Sequence, residues 1–298
     1  RQYGAARHAG QGRRCGSGEF TGLADGGAKI RRGPGAAMKS GFSAQWLALR
    51  ARADTRSRSR SLAVAFLDHL RRPAHVLDLG AGAGANARYL DELAVGRAQK
   101  ITWRLVDRDR ALLDSGAGLP GAARDVLDFA ADPAVLDLEG VDGISASALF
   151  DLVSRDWFAR FVNAAAHRPL LLALSAHGEH RWFPGDAEDA AVMGWFARDM
   201  RRDKGFGPAM GFAAPTVMAE CLADAGYRVR LAASNWRLKR DQPAMLHAMI
   251  DTVAGTAAAQ GDPERAAGWR RRRRQCAADG LLELIVEHRD ILALSGGA

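Results

Sequence analysis

The stretch HVLDLGAGAGANARYL, His75 to Leu90, places glycines at 80, 82 and 84 directly after an apolar run. Glycine at every second position permits positive φ and clears side chains from a place where backbone must approach something closely. A helix opening straight after such a loop turns its free N–H groups toward negative or polar atoms. No Gly-Lys-Ser/Thr follows, so a P-loop is excluded. Gly80, Gly82 and Ala85 satisfy the G-x-G-x-x-G/A spacing, which leaves a dinucleotide site open. Two carboxylates bear on the choice. Asp78 interrupts the apolar run two positions before Gly80, where burial is costly without hydrogen-bond donors. Asp107 closes the next apolar stretch roughly 20 residues beyond the glycines, the spacing at which a carboxylate takes ribose hydroxyls. Asp107 suits any such nucleoside; Asp78 suits one that carries an amino-acid head group.

These residues need a sheet edge to hold them. Phe42 to Leu70 has helical spacing broken by an Arg/Ser-rich middle. Strands follow at His75–Leu79, Ile101–Asp107, Ala122–Val126, Val141–Ser147 and Pro169–Ala176, with helical stretches between them. That alternation predicts right-handed βαβ units and a doubly wound α/β sheet. PLLLALSA (Pro169 to Ala176) is apolar throughout, as a strand covered on both faces should be. Toward the C-terminus, Tyr227–Leu238 and Leu281–His288 alternate like strands, with two helical patterns between them.

Composition narrows the class. With 298 residues, 48% hydrophobic and 26% charged, the chain reads as globular. Its longest apolar run falls far short of the roughly 18 residues of a membrane helix, and no secretory segment is visible. Cys15, Cys221 and Cys276 share no C-x-x-C spacing, so a reducing cytoplasm is expected. Of the net charge of +8, +5 lies in residues 1–37, with seven basic residues against two acidic. The near-neutral remainder does not advertise a polyanion partner. Residues 1–37 show no periodicity and are expected to be a disordered or non-native extension, an Arg-rich targeting segment being the alternative. A single domain is expected over 38–298.

The run VLDLGAGAG resembles the first strand and loop of the class I S-adenosylmethionine-dependent methyltransferases, V-L-D-x-G-x-G-x-G. SALFDLVSRDW, RRDKGFGPAMG and EHRDILAL are similar to a bacterial group of that class without an assigned substrate. The resemblance implies a Rossmann-like, seven-stranded, mostly parallel sheet with a C-terminal antiparallel strand pair, matched here to Tyr227–Asn235 and Leu281–His288. It implies that Gly80, Ala81, Gly82 and Gly84 wrap S-adenosylmethionine, with Asp78 ordering the loop. Asp107 would take the ribose hydroxyls, Arg108 would lie beside the adenine, and Asp125 with Val126 at its edge.

Methyl transfer is an in-line displacement in which the protein positions the acceptor and, for oxygen or carbon, removes a proton. Acceptor groups are then expected after the fourth and fifth strands. Ser145 and Ser147 would flank the cofactor. Asp151 is a candidate base or a helix cap. His177 could act as base, bind substrate, or sit solvated in its loop. Trp182 could wall a pocket or pack a lid. Arg202 and Lys204, among glycines, suggest a loop meeting an anionic acceptor; the alternative is a helix C-terminus with cations on its dipole. Arg50 could take the methionine carboxylate or lie on the surface. The H-x-E-H of His177 to His180 lacks a recognised metal-ligand spacing, and no metal is expected. Arg270 to Arg274 surround a helix and are expected to be solvated.

The sequence thus points to methyl transfer from S-adenosylmethionine to a small, anionic acceptor. An RNA methyltransferase, an NAD-dependent oxidoreductase and a cofactor-binding protein without turnover are the rivals.

Overall fold

The structure, a computed structural model, describes residues 43–116 and 118–296. The expectations for residues 1–37 and for the start at Met38 lie outside the described residues. Two helices, α1 (Ala44–Ser57) and α2 (Arg60–His69), precede the first strand. The Arg/Ser-rich break in the sequence is the joint between them. Ser43 caps α1 by accepting from the Trp46 amide, and Ser59 caps α2 by accepting from that of Leu62.

The alternation that follows is β1 (Ala74–Leu79), α3 (Ala85–Val95), β2 (Ile101–Asp107), α4 (Arg110–Ser115), β3 (Ala123–Val126), β4 (Gly143–Ser147), α5 (Arg155–Ala165) and β5 (Leu170–Ala176). Then come β6 (Arg181–Phe183), α6 (Asp189–Met200), α7 (Ala214–Asp224), β7 (Tyr227–Ala233) and β8 (Trp236–Leu238). The chain closes with α8 (Pro243–Gln260), α9 (Pro263–Ala278), β9 (Glu283–Val286) and β10 (His288–Ser295).

Seven strands form one sheet in the order β3-β2-β1-β4-β5-β10-β7. β1 to β5 pair in parallel, and β10 runs antiparallel to both β5 and β7. The strand order reverses between β1 and β4, so a crevice opens beyond their carboxyl ends. The doubly wound sheet and the closing antiparallel pair are as expected, but the residues of that pair are not. Tyr227–Leu238 breaks at Ser234 and Asn235, and its second part leaves the main sheet. β8, β9 and β6 form a separate antiparallel sheet, so Leu281–His288 does not supply the last main-sheet strand. That strand is β10. Its Ile291, Leu292 and Ala293 are fully buried between β5 and β7, and a strand covered on both faces is a plain apolar run without alternation.

Three bodies of apolar packing are built on this frame. One lies under the main sheet around Phe150, Trp157, Phe158 and Phe161. The second joins the small sheet to α6, α8 and α9 through Trp182, Phe196, Trp236 and Trp269. A third gathers Phe66, Leu67, Leu90 and Trp103 from α2, α3 and β2. Asp290 ties the layers together at a β-bulge. The β5–β10 register slips between Arg289 and Ile291, and Leu174 adopts φ +53°. There the buried Asp290 carboxylate accepts the Leu174 amide at 2.8 Å and, from its other oxygen, the Ser59 amide at 2.7 Å. Asp290→Ala leaves two amides without acceptors, each costing about 1–3 kcal/mol when buried. The expected loss is about 3 kcal/mol of unfolding free energy, read as a lower urea midpoint with an unchanged slope.

Candidate active site

The glycine loop joins β1 to α3. Gly80, Gly82 and Gly84 take φ values of +61°, +52° and +75°, a region in which side-chain-bearing residues are strained. The Gly84 amide folds back on the Ala81 carbonyl at 2.8 Å. Asp107, at the end of β2, clamps the loop from the side: its Oδ2 accepts the Gly82 amide at 2.8 Å and its Oδ1 the Asp109 amide at 2.9 Å. A carboxylate oxygen carries two lone-pair sites, so Asp107 keeps acceptor capacity toward the crevice.

Asp78 lies behind the loop and is wholly buried. Its Oδ1 accepts from the Asn86 side-chain amide and, at 2.8 Å, from Ser145 Oγ. The same Asn86 amide donates to Ser145 Oγ at 3.1 Å. Burial raises the Asp78 carboxyl to about 6, against the opposing pull of Asn86, Ser145 and Arg58. Its Oδ2 has no hydrogen-bond partner. Asn86 escaped the sequence reading, although its place in the first turn of α3 was the available signal. Ser145 was expected at the cofactor and instead braces Asp78 from β4.

The crevice is a cleft of about 570 Å³ between this loop and α1. Its walls include Leu47, Arg50 and Asp54 of α1, Gly80 to Ala83, Asn86, Asp107, Ser147 and Ala148. A Cβ placed on Gly82 would lie 3.2 Å from Leu47 Cδ1, and one on Gly80 3.2 Å from Leu149 Cδ1. Arg50 is buried and paired with Asp54 at 2.9 and 3.2 Å, and its guanidinium lies 4.9 Å from the centre of the Trp236 ring. The structure therefore brings together Asp107, the glycines, Ala81, Ser147 and Arg50.

Other expected residues stand elsewhere. Asp125 pairs with Arg104 at 2.5 Å, Val126 is exposed, and neither lines the cleft. Arg108 follows β2 on the exposed side. Trp182 packs edge-on against Trp269 in the second core. Arg202 and Lys204, just past α6, both pair with Asp199, at 3.2 and 2.6 Å. His177 is half-buried beyond β5; burial and Arg289 lower its pKa, opposed by Glu287.

Asp151 occupies a single helical turn after β4 and is buried. Burial pushes its carboxyl up to about 6, opposed by backbone amides, that of Ala176 among them, and by Arg50. Asp151 Oδ1 has no hydrogen-bond partner. His180 and His288, which the sequence reading gave no role, are buried nearby; burial lowers His180 to about 4 and His288 well below its ordinary range. The HRD run at the head of β10 was visible as an unexplained charged break.

The chain is similar in structure to a provisionally assigned type II methyltransferase from Anaeromyxobacter dehalogenans, with a TM-score of 0.51 and 16% identity over 80% of this chain and 96% of that one. It is also similar to mycolic acid cyclopropane synthase complexed with SAH, with a TM-score of 0.44 and 15% identity over 79% and 82% of the two chains. The fold is the Rossmann-like methyltransferase fold. No protein-family model and no curated protein sequence matches the chain.

On this methyltransferase fold the second sheet with α6, α8 and α9 forms a layer beside the cleft. Of its arginine run, Arg270, Arg271 and Arg272 are exposed as expected, and Arg273 alone is buried. Arg270 and Arg274 pair with Asp251, Arg272 with Asp186, and Arg273 with Asp189. Arg273 is 2% exposed and lies over Trp182 and Trp269. Of these carboxylates, Asp251 comes from α8, Asp189 from α6, and Asp186 from the loop before α6. Among the described residues no helix is long and apolar enough to cross a membrane.

The raised Asp151 pKa has a consequence for stability. The native carboxyl holds its proton up to about pH 6, the unfolded one only to about 4, so native stability falls as pH rises through that window. Above it, the ionised buried group costs on the order of 3 kcal/mol. Asp151→Asn, which can still accept the Ala176 amide, is expected to melt several degrees above the parent at pH 7.5. The two should converge near pH 4 in a thermal-denaturation series.

Proposed function

We propose that residues 38–298 form an S-adenosylmethionine-dependent methyltransferase acting on a small molecule. The observation that carries the reading is the Asp107-clamped glycine loop, facing α1 across a cleft of about 570 Å³. The residues fit the cofactor. Asp107 has acceptor capacity for ribose hydroxyls, the loop has no side chains at its three glycines, and Asp78, buried behind the loop, keeps one oxygen without a hydrogen-bond partner. Arg50 stands on the opposite wall for the carboxylate of that head group. Bound S-adenosylmethionine supplies a methyl carbon made electrophilic by its sulfonium.

The remaining chemistry falls to this chain. Asp107 and the loop orient the donor, and α1 excludes water from it. Asp151, beyond the cleft wall formed by Ser147 and Ala148, is the candidate base for an acceptor that must lose a proton. The RNA alternative loses its main support, since four arginines of the run are bound to aspartates of the same chain. The NAD alternative gives no part to Asp78 or to the closing strand pair.

Thermal unfolding with S-adenosylhomocysteine and, separately, NAD tests the reading. At a hundredfold excess over its dissociation constant, a true ligand adds about 2.7 kcal/mol, a rise of roughly 5–10 °C for a chain of this size. The rise is expected with S-adenosylhomocysteine alone; a rise with NAD alone overturns the reading. Asp107→Ala is expected to weaken S-adenosylhomocysteine at least tenfold by calorimetry, and unchanged affinity would remove the assigned ribose contact.

A further inference from the structure

The cleft of the methyl donor lies on one face of α1, and a second cavity of about 510 Å³ lies on another. Leu47 lines the first and Arg56 the second. At about 100° per residue these two stand on opposite sides of the helix, and α1 separates the cavities. The far wall of the second cavity is the joint between β7 and β8, β8 itself and the turn leading into α8. Clefts of roughly 300–1,000 Å³ are of the size that takes small ligands. The methyl-donor reading makes no use of this one.

Two cations on its wall lack a carboxylate. Arg237 stands in β8 between the buried Trp236 and Leu238, so strand alternation turns its side chain away from the core. The neighbouring strand β9 places the apolar Ile285 opposite it. The acids that flank Ile285 are engaged elsewhere, Glu283 with Lys239 at 2.9 Å and Glu287 with Arg181 at 2.8 Å. Arg56 sits in the last turn of α1, whose one acid, Asp54, holds Arg50 and the Trp236 indole. Neither the Arg56 nor the Arg237 guanidinium has a hydrogen bond or ion pair among the described residues. That is unusual for this layer, where Arg265, Arg270, Arg272, Arg273 and Arg274 each meet a carboxylate.

The uncharged groups of the wall add donors. Asn235 gives its Oδ1 to the His288 amide at 3.0 Å, which leaves its NH2 group to donate. Ser57 brings a hydroxyl. Gln242 fixes the turn by donating to the Arg237 carbonyl at 3.3 Å. Asp241 is the single carboxylate among the described residues of the lining, against Arg56, Arg237 and the Glu283-bound Lys239. The wall is positive and rich in donors.

We propose that this cavity is a second ligand site, and that it takes the phosphate of a small phosphomonoester. Guanidinium forks bind phosphate oxygens two at a time. A monoester phosphate at neutral pH carries close to two negative charges and three acceptor oxygens, which matches two unpaired guanidinium groups. A phosphodiester, as in a nucleic-acid backbone, carries one charge and leaves one of the two cations unmatched. Ala53 and Ala233 add apolar surface for the organic part of the ligand. Because α1 stands between the two cavities, the site is independent of the donor cleft and of what that cleft binds.

Calorimetric titration of the whole chain with phenyl phosphate at low ionic strength tests the assignment. Binding at pH 7.5 is expected to be at least fivefold tighter than at pH 5, where the probe carries one charge. Dimethyl phosphate, a monoanion throughout, should bind at least tenfold more weakly than phenyl phosphate at pH 7.5. Arg56→Gln and Arg237→Gln should each weaken phenyl phosphate at least tenfold, and Asp241→Asn should strengthen it at least twofold. Arg271→Gln, at an exposed arginine outside the cavity, should change it less than twofold. Saturating S-adenosylhomocysteine should not displace the probe. No binding, displacement by S-adenosylhomocysteine, an equal loss in Arg271→Gln, or dimethyl phosphate binding as tightly overturns the site. All four substituted residues are exposed, and the comparison of probes and pH uses the unaltered chain.

Discussion

A carboxylate taken out of water must find donors, and Asp290 finds two backbone amides that belong to different layers of the molecule. One belongs to Leu174 of β5, at the bulge between β5 and β10. The other belongs to Ser59, in the joint between α1 and α2. Through one side chain the bulge, the last strand and the helix over the cleft are held in a fixed relation. The neighbouring Arg58, buried and stacked 4.3 Å from the centre of the Tyr89 ring, adds a positive charge that Asp290 and Asp78 both feel. Helix α1 adds apolar anchors of its own, Ala53 within the second core and Trp46 and Leu49 packed against it.

The second layer completes that fixation from the other side. Trp236 of β8 donates its Nε1–H to Asp54 at 3.1 Å, and Asp54 in turn holds Arg50. The same indole lies under the Arg50 guanidinium. A small sheet that takes no part in the βαβ winding therefore reaches the wall of the cleft through one tryptophan. The methyltransferase fold provides the crevice, and the added layer shapes what stands beside it.

Much of this was legible in the residues. Glycines at alternate positions after VLDL, and a carboxylate ending the next strand, identified the loop and its clamp, because backbone conformation and ligand approach constrain residue type locally. Asp78 announced itself as a charge in an apolar strand. What stayed hidden depended on contacts distant in sequence. Asn86 looks like an ordinary polar residue until α3 carries it to Asp78, and Ser145, expected beside the cofactor, is carried by β4 to the same carboxylate. Arg273 looked solvated like its neighbours because Asp189, which binds it, lies far up the chain. β10 was misplaced because its head, His-Arg-Asp, reads as the finish of the strand before it: those charges are satisfied by the bulge and by Asn235, which accepts the His288 amide at 3.0 Å. His180 and His288 gave no warning, since burial of a histidine is decided by the aromatic residues that tertiary structure brings around it.

The main sheet ends on β7, whose far side pairs with no other strand among the described residues. An open edge of this kind is a template on which a second chain could add a strand, and sheet proteins must discourage it. Here Arg228 and Arg230 are exposed along the strand, flanking the partly covered Val229. A second copy approaching edge to edge would bring its own two arginines against these, in a stretch with no acidic residue between Tyr227 and Ala233 to offset them. The strand that completes the fold thus carries its own protection against fibrous association, in a place where the exposed Leu231 alone would have invited it.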